Sequence, residues 1–236
     1  MNGTLLVALW RQRLTSPLRL TLLAGLAGVP LLGAAFMAGA GLSLLGNSQG
    51  LVLVLGAGMI GQDLSSGVLQ LLFARPVTRT SYVVSRWLAV AFAASAVSVL
   101  QVATAAAFMA ARGSAPAVQD VMLFGLGRVV EAFGLAAVLA LLSSLVPGLG
   151  DLGLYLILNI AGGVVQMVGK VKGWPWLDRA STEILSSLMP TIDFTRVIQS
   201  SPLPWFPIVS YASTVTLCLA LAIVSINRRE LSYASG

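Results

Sequence analysis

Four long stretches of the chain carry no charged side chain: Leu20–Gln62, Trp87–Ala111, Leu152–Gly169 and Trp205–Asn227. A helix needs about 20 apolar residues to cross about 30 Å of hydrocarbon. Each stretch is near that length, and the first is long enough for two crossings. A further apolar run, Val121–Val146, is interrupted only by Arg128 and Glu131. The pattern predicts an all-α integral membrane protein of six transmembrane helices forming a single domain over residues 1–236. The expected spans are Leu18–Gly41, a second ending near Gln62, Tyr82–Ala111, Val121–Val146, Leu152–Gly169 and Ile208–Ile226. Pro30 marks a kink in the first. The turn signal Gly46-Asn47-Ser48-Gln49-Gly50 leaves 12 residues from Leu51 to Gln62, too few for a crossing. The second span is therefore expected to start nearer Ser43.

The polar segments between the runs have their own periodicity. In residues 4–17, Leu5, Leu6, Val7, Leu9, Trp10 and Leu14 share one helical face, while Thr4, Arg11 and Thr15 share the other. Arg13 falls on the apolar side and would snorkel. This is the pattern of a helix lying in the membrane interface, with Trp10, Arg11 and Arg13 at the headgroups; the competing reading is a disordered basic tail. A Pro147-Gly148-Leu149-Gly150 turn leads to Asp151, an expected N-cap of span five. Residues 170–207 hold Pro175, Pro190, Pro202, Pro204 and Pro207 with Trp174, Trp176 and Trp205. They read as an extracytoplasmic insertion before the last span, its tryptophans at the boundary.

An even number of spans puts both ends of the chain on one side. Eight arginines would lie there (11, 13, 19, 75, 79, 86, 228 and 229), against five basic residues on the other (112, 170, 172, 179 and 196). The positive-inside rule makes the first side cytoplasmic.

Composition agrees and excludes several functions. Apolar residues make up 57% of the chain and charged residues 9%, against about 25% charged in soluble domains. Many of the 24 glycines lie within the apolar runs, as in Leu23–Gly41, where small residues let helices pack closely in lipid. One cysteine (Cys218) and no histidine exclude a disulfide framework, the usual zinc sites and Cys–His or Ser–His catalysis. The net charge of +6 is scattered over span ends, so no nucleic-acid partner is expected. A cleavable signal peptide is not expected either, because the first apolar run merges with a second.

Two motifs are decoys. Leu51–Gly61 (LVLVLGAGMIG) copies a strand followed by G-x-G-x-x-G. The dinucleotide fingerprint also needs an acidic residue about 20 positions on, where this chain reads PVTRTSYVV. These glycines are better read as packing residues. Gly163–Val171 (GVVQMVGKV) has one residue too many for a P-loop and valine in place of Ser/Thr, so no ATP hydrolysis is expected from the chain itself.

The most informative polar segment is Gln62–Leu88. As a helix it places Leu64, Val68, Leu71 and Leu72 on one face and Asp63, Ser66 and Gln70 on the other. Pro76 ends that helix by pushing Arg75 out of the helical region, and Thr78 or Thr80 can cap span three. A short amphipathic helix and a rigid basic turn result. They serve either as a contact surface or as an interfacial loop whose arginines anchor the neighbouring helices.

Asp63-x-x-x-Gly67-Val68-Leu69-x-Leu71-Leu72-x-x-Arg75-Pro76-Val77-Thr78-Arg79 resembles the stretch after span two in ABC type-2 transporter permeases, the membrane subunits of ABC exporters. Asp63 stands where that family usually has Glu, and Val68 where it has Thr. Leu188–Arg196 (LMPTIDFTR) is similar to a second stretch before the last span, with Met189 in place of Asn. The resemblance implies that residues 63–79 form a cytoplasmic coupling segment, contacting an ATPase subunit through Asp63, Ser66, Gln70, Arg75 and Arg79, with Pro76 holding the turn. It implies two copies of that ATPase, which binds the ATP and magnesium, and no cofactor in this chain. It also implies a second permease subunit, identical or homologous, and a place in the cytoplasmic (inner) membrane of a prokaryote. The rivals are a self-sufficient secondary transporter and, last, a membrane-embedded enzyme.

Within the spans, Arg128 and Glu131 are three residues apart and can pair on one face. Intramembrane charges usually face a bundle interior or a watery path. The pair is either a wall of a substrate path or a neutralised pair that fixes helix register. Gln101, Asn159 and Gln166 are weaker candidates for the same inner surface, and each can instead bond a neighbouring helix.

Overall fold

The computed structural model describes Trp10 and residues 15–36, 41–69, 78–199 and 204–228. Among them no strand occurs. The helices are α1 (Pro17–Phe36), α2 (Gln49–Gly56), α3 (Gly61–Ser65), α4 (Arg79–Ala111), α5 (Val118–Leu145), α6 (Gly150–Lys172), α7 (Pro175–Leu188), α8 (Phe194–Gln199) and α9 (Trp205–Arg228), with a 3-10 turn at Gly41–Leu45. Among the described residues five helices are long and apolar enough to cross a membrane: α1, α4, α5, α6 and α9. They match the first, third, fourth, fifth and sixth expected spans to within a few residues at described ends. The chain is a polytopic membrane protein.

The expected second span is not one helix. Between Gly41 and Ser65 the chain forms the 3-10 turn, an eight-residue helix and a five-residue helix. Glycine causes both interruptions: Gly46 has φ 63° and Gly58 φ 64°, left-handed conformations that side chains with a Cβ resist. The broken stretch still runs along α5. The Leu45 carbonyl lies against Arg128 and the Gly61 amide against Ser143, positions about 22 Å apart at 1.5 Å per residue.

The core sits between α4 and α5. Ala132, Ala136, Ala140, Ala89 and Ala94 are fully buried, with Leu135, Leu139, Val90, Val52 and Ile60 beside them. Alanine at every fourth position of α5 lets neighbouring backbones approach, and close packing holds helices together in lipid. At Gly56 that approach is so close that a Cβ would lie 2.8 Å from Leu139. Helices α1, α6 and α9 surround this centre and leave most of their surface open. The Tyr211 hydroxyl donates to the Val130 carbonyl (2.8 Å) and Ser225 to that of Ser144 (3.2 Å), tying α9 along α5.

The described part of 170–207 also departs from a simple outer loop. Helix α6 ends at Gly173 (φ 65°) with the Trp174 amide bonded to the Gly169 carbonyl. Pro175 then opens α7, where its missing N–H costs nothing. Helix α7 returns along α6: a Cβ on Gly169 would lie 2.9 Å from the Asp178 amide and one on Gly162 2.7 Å from Leu185. Its Leu177, Ser181, Leu185 and Leu188 face inward while Arg179, Glu183 and Ser186 are exposed. The tip continues inward until the Pro190 carbonyl packs on Gly134, near the middle of α5. This is a re-entrant hairpin.

Candidate functional site

Asp63 was expected on a partner surface, and its placement corrects that. It is buried, and its carboxylate accepts from the Tyr82 hydroxyl (2.6 Å) and pairs with the Arg86 guanidinium. Arg86 also lies over the Tyr82 ring, 5.3 Å from its centroid. A guanidinium that neutralises the charge and a hydroxyl that bonds the same carboxylate are what a buried acid requires. Tyr82 and Arg86 are one turn apart on α4; the sequence marks Tyr82 only as the first residue of span three and Arg86 only as one of eight arginines on the same side. The 23-residue separation of Arg86 from Asp63 gives no periodic signal.

Arg79 is likewise committed within the chain. Its Nη1 donates to the carbonyls of Ile226 (2.8 Å) and Asn227 (2.9 Å). These are among the last carbonyls of α9, which have no partner inside the helix and carry its negative dipole end. Thr78 caps α4, accepting from the Ser81 amide at 3.3 Å. Ser66 is exposed and donates to the Asp63 carbonyl at 3.5 Å. Gln70, Arg75 and Pro76 lie outside the described residues, as do Arg11 and Arg13. Trp10 is described: its indole donates to the Ala89 carbonyl at 2.8 Å, docking it on α4.

The glycine break between α2 and α3 is held by its surroundings. The Gly58 amide donates to Asp151 (2.7 Å), and the Ile60 and Gly61 amides donate to the Ser143 hydroxyl (3.0 and 2.9 Å). The Gly148 amide returns a bond to the Gly61 carbonyl at 2.6 Å. Asp151 is not the N-cap expected of span five: Leu149 takes that position, and Asp151 sits within the first turn of α6, where it accepts from the Leu152 amide and reaches the broken stretch. Backbone freed by a break at membrane depth needs such partners. Of the glycines that copy a nucleotide fingerprint, Gly58 makes this break, while Gly56 and Gly61 allow close packing: a Cβ would lie 2.8 Å from Leu139 at the first and 2.6 Å from the Gly148 carbonyl at the second.

Arg128 and Glu131 do the same at the other break. Arg128 donates to the Leu45 carbonyl at 3.1 Å, closing the 3-10 turn. Glu131 accepts from both the amide (3.1 Å) and the hydroxyl (2.9 Å) of Ser48, the residue before α2. The two side chains pair at 3.4 Å. The cation thus holds the end of one piece and the anion the start of the next.

The weaker candidates do not join them. Gln101 donates to the carbonyls of Leu26 (3.0 Å) and Ala27 (3.1 Å). Pro30 lacks the N–H that would bond Leu26, so Gln101 fills that gap. Asn159 bonds back to Tyr155 at 3.2 Å, and Gln166 bonds Thr182 at 3.1 Å across the α6–α7 hairpin.

Beside Arg128 lies a cavity of about 230 Å³, lined by Gly46, Leu123, Phe124, Gly127, Arg128, Glu131 and residues 191–194. Among the described residues no group of three or more acidic or cysteine side chains could hold a metal ion.

No protein-family model matches the chain, and neither a curated protein nor a solved structure is found to be similar to it.

Proposed function

We propose that the chain is the membrane-spanning permease subunit of an ATP-binding-cassette exporter. The stretch 41–65 is its second crossing, discontinuous but complete, which makes six and puts both ends of the chain in the cytoplasm. Residues 63–79 are then cytoplasmic and receive a separate ATPase pair, which binds ATP and magnesium. The substrate crosses between this subunit and a second one.

One observation carries this reading beyond the motif. The segment 64–78 is tied at both ends to different parts of the bundle: Asp63 to α4 through Arg86 and Tyr82, and Arg79 to the end of α9. A push on such a segment moves helices rather than a slack loop. A partner bound there can bias a two-state bundle, provided it binds the two states unequally. Asp63 and Arg79 act here as anchors, leaving Gln70 and Arg75 to meet the ATPase.

The test is co-purification with an ATPase encoded beside this chain, before and after Arg75→Glu. Loss of at least tenfold in complex yield and of permease-stimulated ATP hydrolysis supports the reading; unchanged assembly rejects it. The second reading, a self-sufficient secondary transporter, draws on the broken crossing and its charged pair, features of ion-coupled sites. Uptake driven by an ion gradient in vesicles holding this chain alone, without ATP, would favour it.

A further inference from the structure

We propose that the open face of α7 is the contact between two copies of this chain, with Arg179 of each copy paired to Glu183 of the other. The inference rests on the exporter reading only in that a second subunit is present; it names that subunit as identical and α7 as the face that meets it.

Depth is the first argument. Helix α7 packs chiefly along α6, a helix long and apolar enough to cross a membrane, with Asp178 against Gly169 and Leu185 against Gly162. Glu183 lies eight residues past Pro175, about 12 Å from the α6–α7 corner at 1.5 Å per residue. It is exposed, on the side turned away from the bundle. Arg179 is near enough to the corner to snorkel to the headgroups; a glutamate at that depth is not. Ionisable side chains within the membrane pair with one another or face a bundle interior or a watery cavity, not lipid. The neighbouring hydroxyls of Ser186 and Ser187 need no such partner, since both donate to the Glu183 carbonyl (2.9 and 2.8 Å).

Charge and composition choose the partner. Arg179 and Glu183 are four residues apart, the spacing at which opposite charges pair within one helix. Yet the ion pairs among the described residues are Asp63–Arg86 and Arg128–Glu131. Two copies related by a two-fold axis along the membrane normal present α7 at the same depth, and such a contact sets residue i against j and j against i. A cation and an anion one turn apart are self-complementary in that arrangement. About 6 Å of rise separates Arg179 of one copy from Glu183 of the other, within reach of the two side chains. Trp176 and Ile184, 65% and 54% exposed, flank the charges. An aromatic and an aliphatic anchor beside an ion pair suit a protein contact, and neither gains from lining a watery groove.

The experiment uses the full chain in native membranes, in a Cys218→Ser background and without the ATPase. Oxidation of Ser186→Cys is expected to give a disulfide-linked dimer, while Val209→Cys, on the open face of α9, gives none. Adding Arg179→Glu or Glu183→Arg alone to Ser186→Cys lowers the yield at least tenfold, because each sets like charges against like. Co-expressing the two charge variants under different tags restores the yield in the mixed dimer alone, an outcome that pairing within one helix cannot give. Both positions are exposed, and thermal melts check that the variants fold; should either fail, Ser186→Cys in the parent chain decides. No dimer from Ser186→Cys overturns the proposal, whether that cysteine reacts with an impermeant maleimide, as in a watery cleft, or stays inert, as in lipid. Single charge variants that cross-link undiminished, or a mixed dimer no better than either parent, overturn it too. ATPase binding retained by a chain that gives no α7 cross-link would reject this contact and leave the exporter reading standing.

Discussion

Single residues in this protein mostly repair what other residues break. Gln101 supplies the donor that Pro30 removes, bonding the Leu26 and Ala27 carbonyls. Hydrogen bonds between membrane helices average about 0.6 kcal/mol and reach about 1.7, so Gln101→Leu is expected to cost about 1 kcal/mol. In a Pro30→Ala background, where the helix closes its own bond, the same change should cost close to nothing. Thermal melts of the four proteins measure the coupling, and equal costs in both backgrounds would contradict it. The Asp63–Arg86 pair has a different signature. Removing one partner leaves a buried charge, a loss of about 3–5 kcal/mol. Asp63→Ala and Arg86→Ala should each lower the melting temperature, and the double variant should fall well short of their sum. At this scale the sequence was half legible. Arg128 and Glu131 announce a pair by spacing alone, and Thr78 announces a cap. That Asp63 faces inward was not legible, because polar-face assignment on a short helix cannot anticipate an arginine 23 residues away.

Among the elements, the interruptions carry the most information. Helix α2 ends at Gly56 and α3 begins at Gly61, with Gly58 at φ 64° between them. Gly58→Ala would strain the backbone and set a Cβ 2.9 Å from the Gly148 carbonyl, a penalty of about 1–3 kcal/mol. Ser143→Ala leaves the Ile60 and Gly61 amides without their acceptor. Both changes are expected to speed amide hydrogen exchange at residues 58–61 by about tenfold while leaving α4 and α5 protected. Uniform acceleration across the bundle would instead mark global destabilisation. The apolar run from Leu51 gave its length as too short for a span, and that shortfall was the visible trace of the break. The break's position was hidden, since the same glycines also suit close packing. The re-entrant hairpin was hidden for a similar reason: prolines and tryptophans at 174–176 and 202–207 mark a boundary, and nothing in periodicity says that the chain between them turns back inward.

For the whole molecule, the five long helices were legible because lipid imposes a length and excludes charge, and both constraints are written in sequence directly. The sixth crossing depends on whether stretch 41–65 carries the chain from one side to the other. Its contacts run along α5 from Arg128 to Ser143, about 22 Å at 1.5 Å per residue, against about 30 Å of hydrocarbon. The decisive measurement is labelling of single cysteines with a membrane-impermeant maleimide in intact cells, in a Cys218→Ser background. Thr15→Cys, Arg75→Cys and Ser114→Cys report the start of α1, the basic turn and the α4–α5 loop. The account predicts that the first two react only after the membrane is opened, while the third reacts at once. Labelling of Arg75→Cys in intact cells, or of Thr15→Cys and Arg75→Cys on opposite sides, would contradict it.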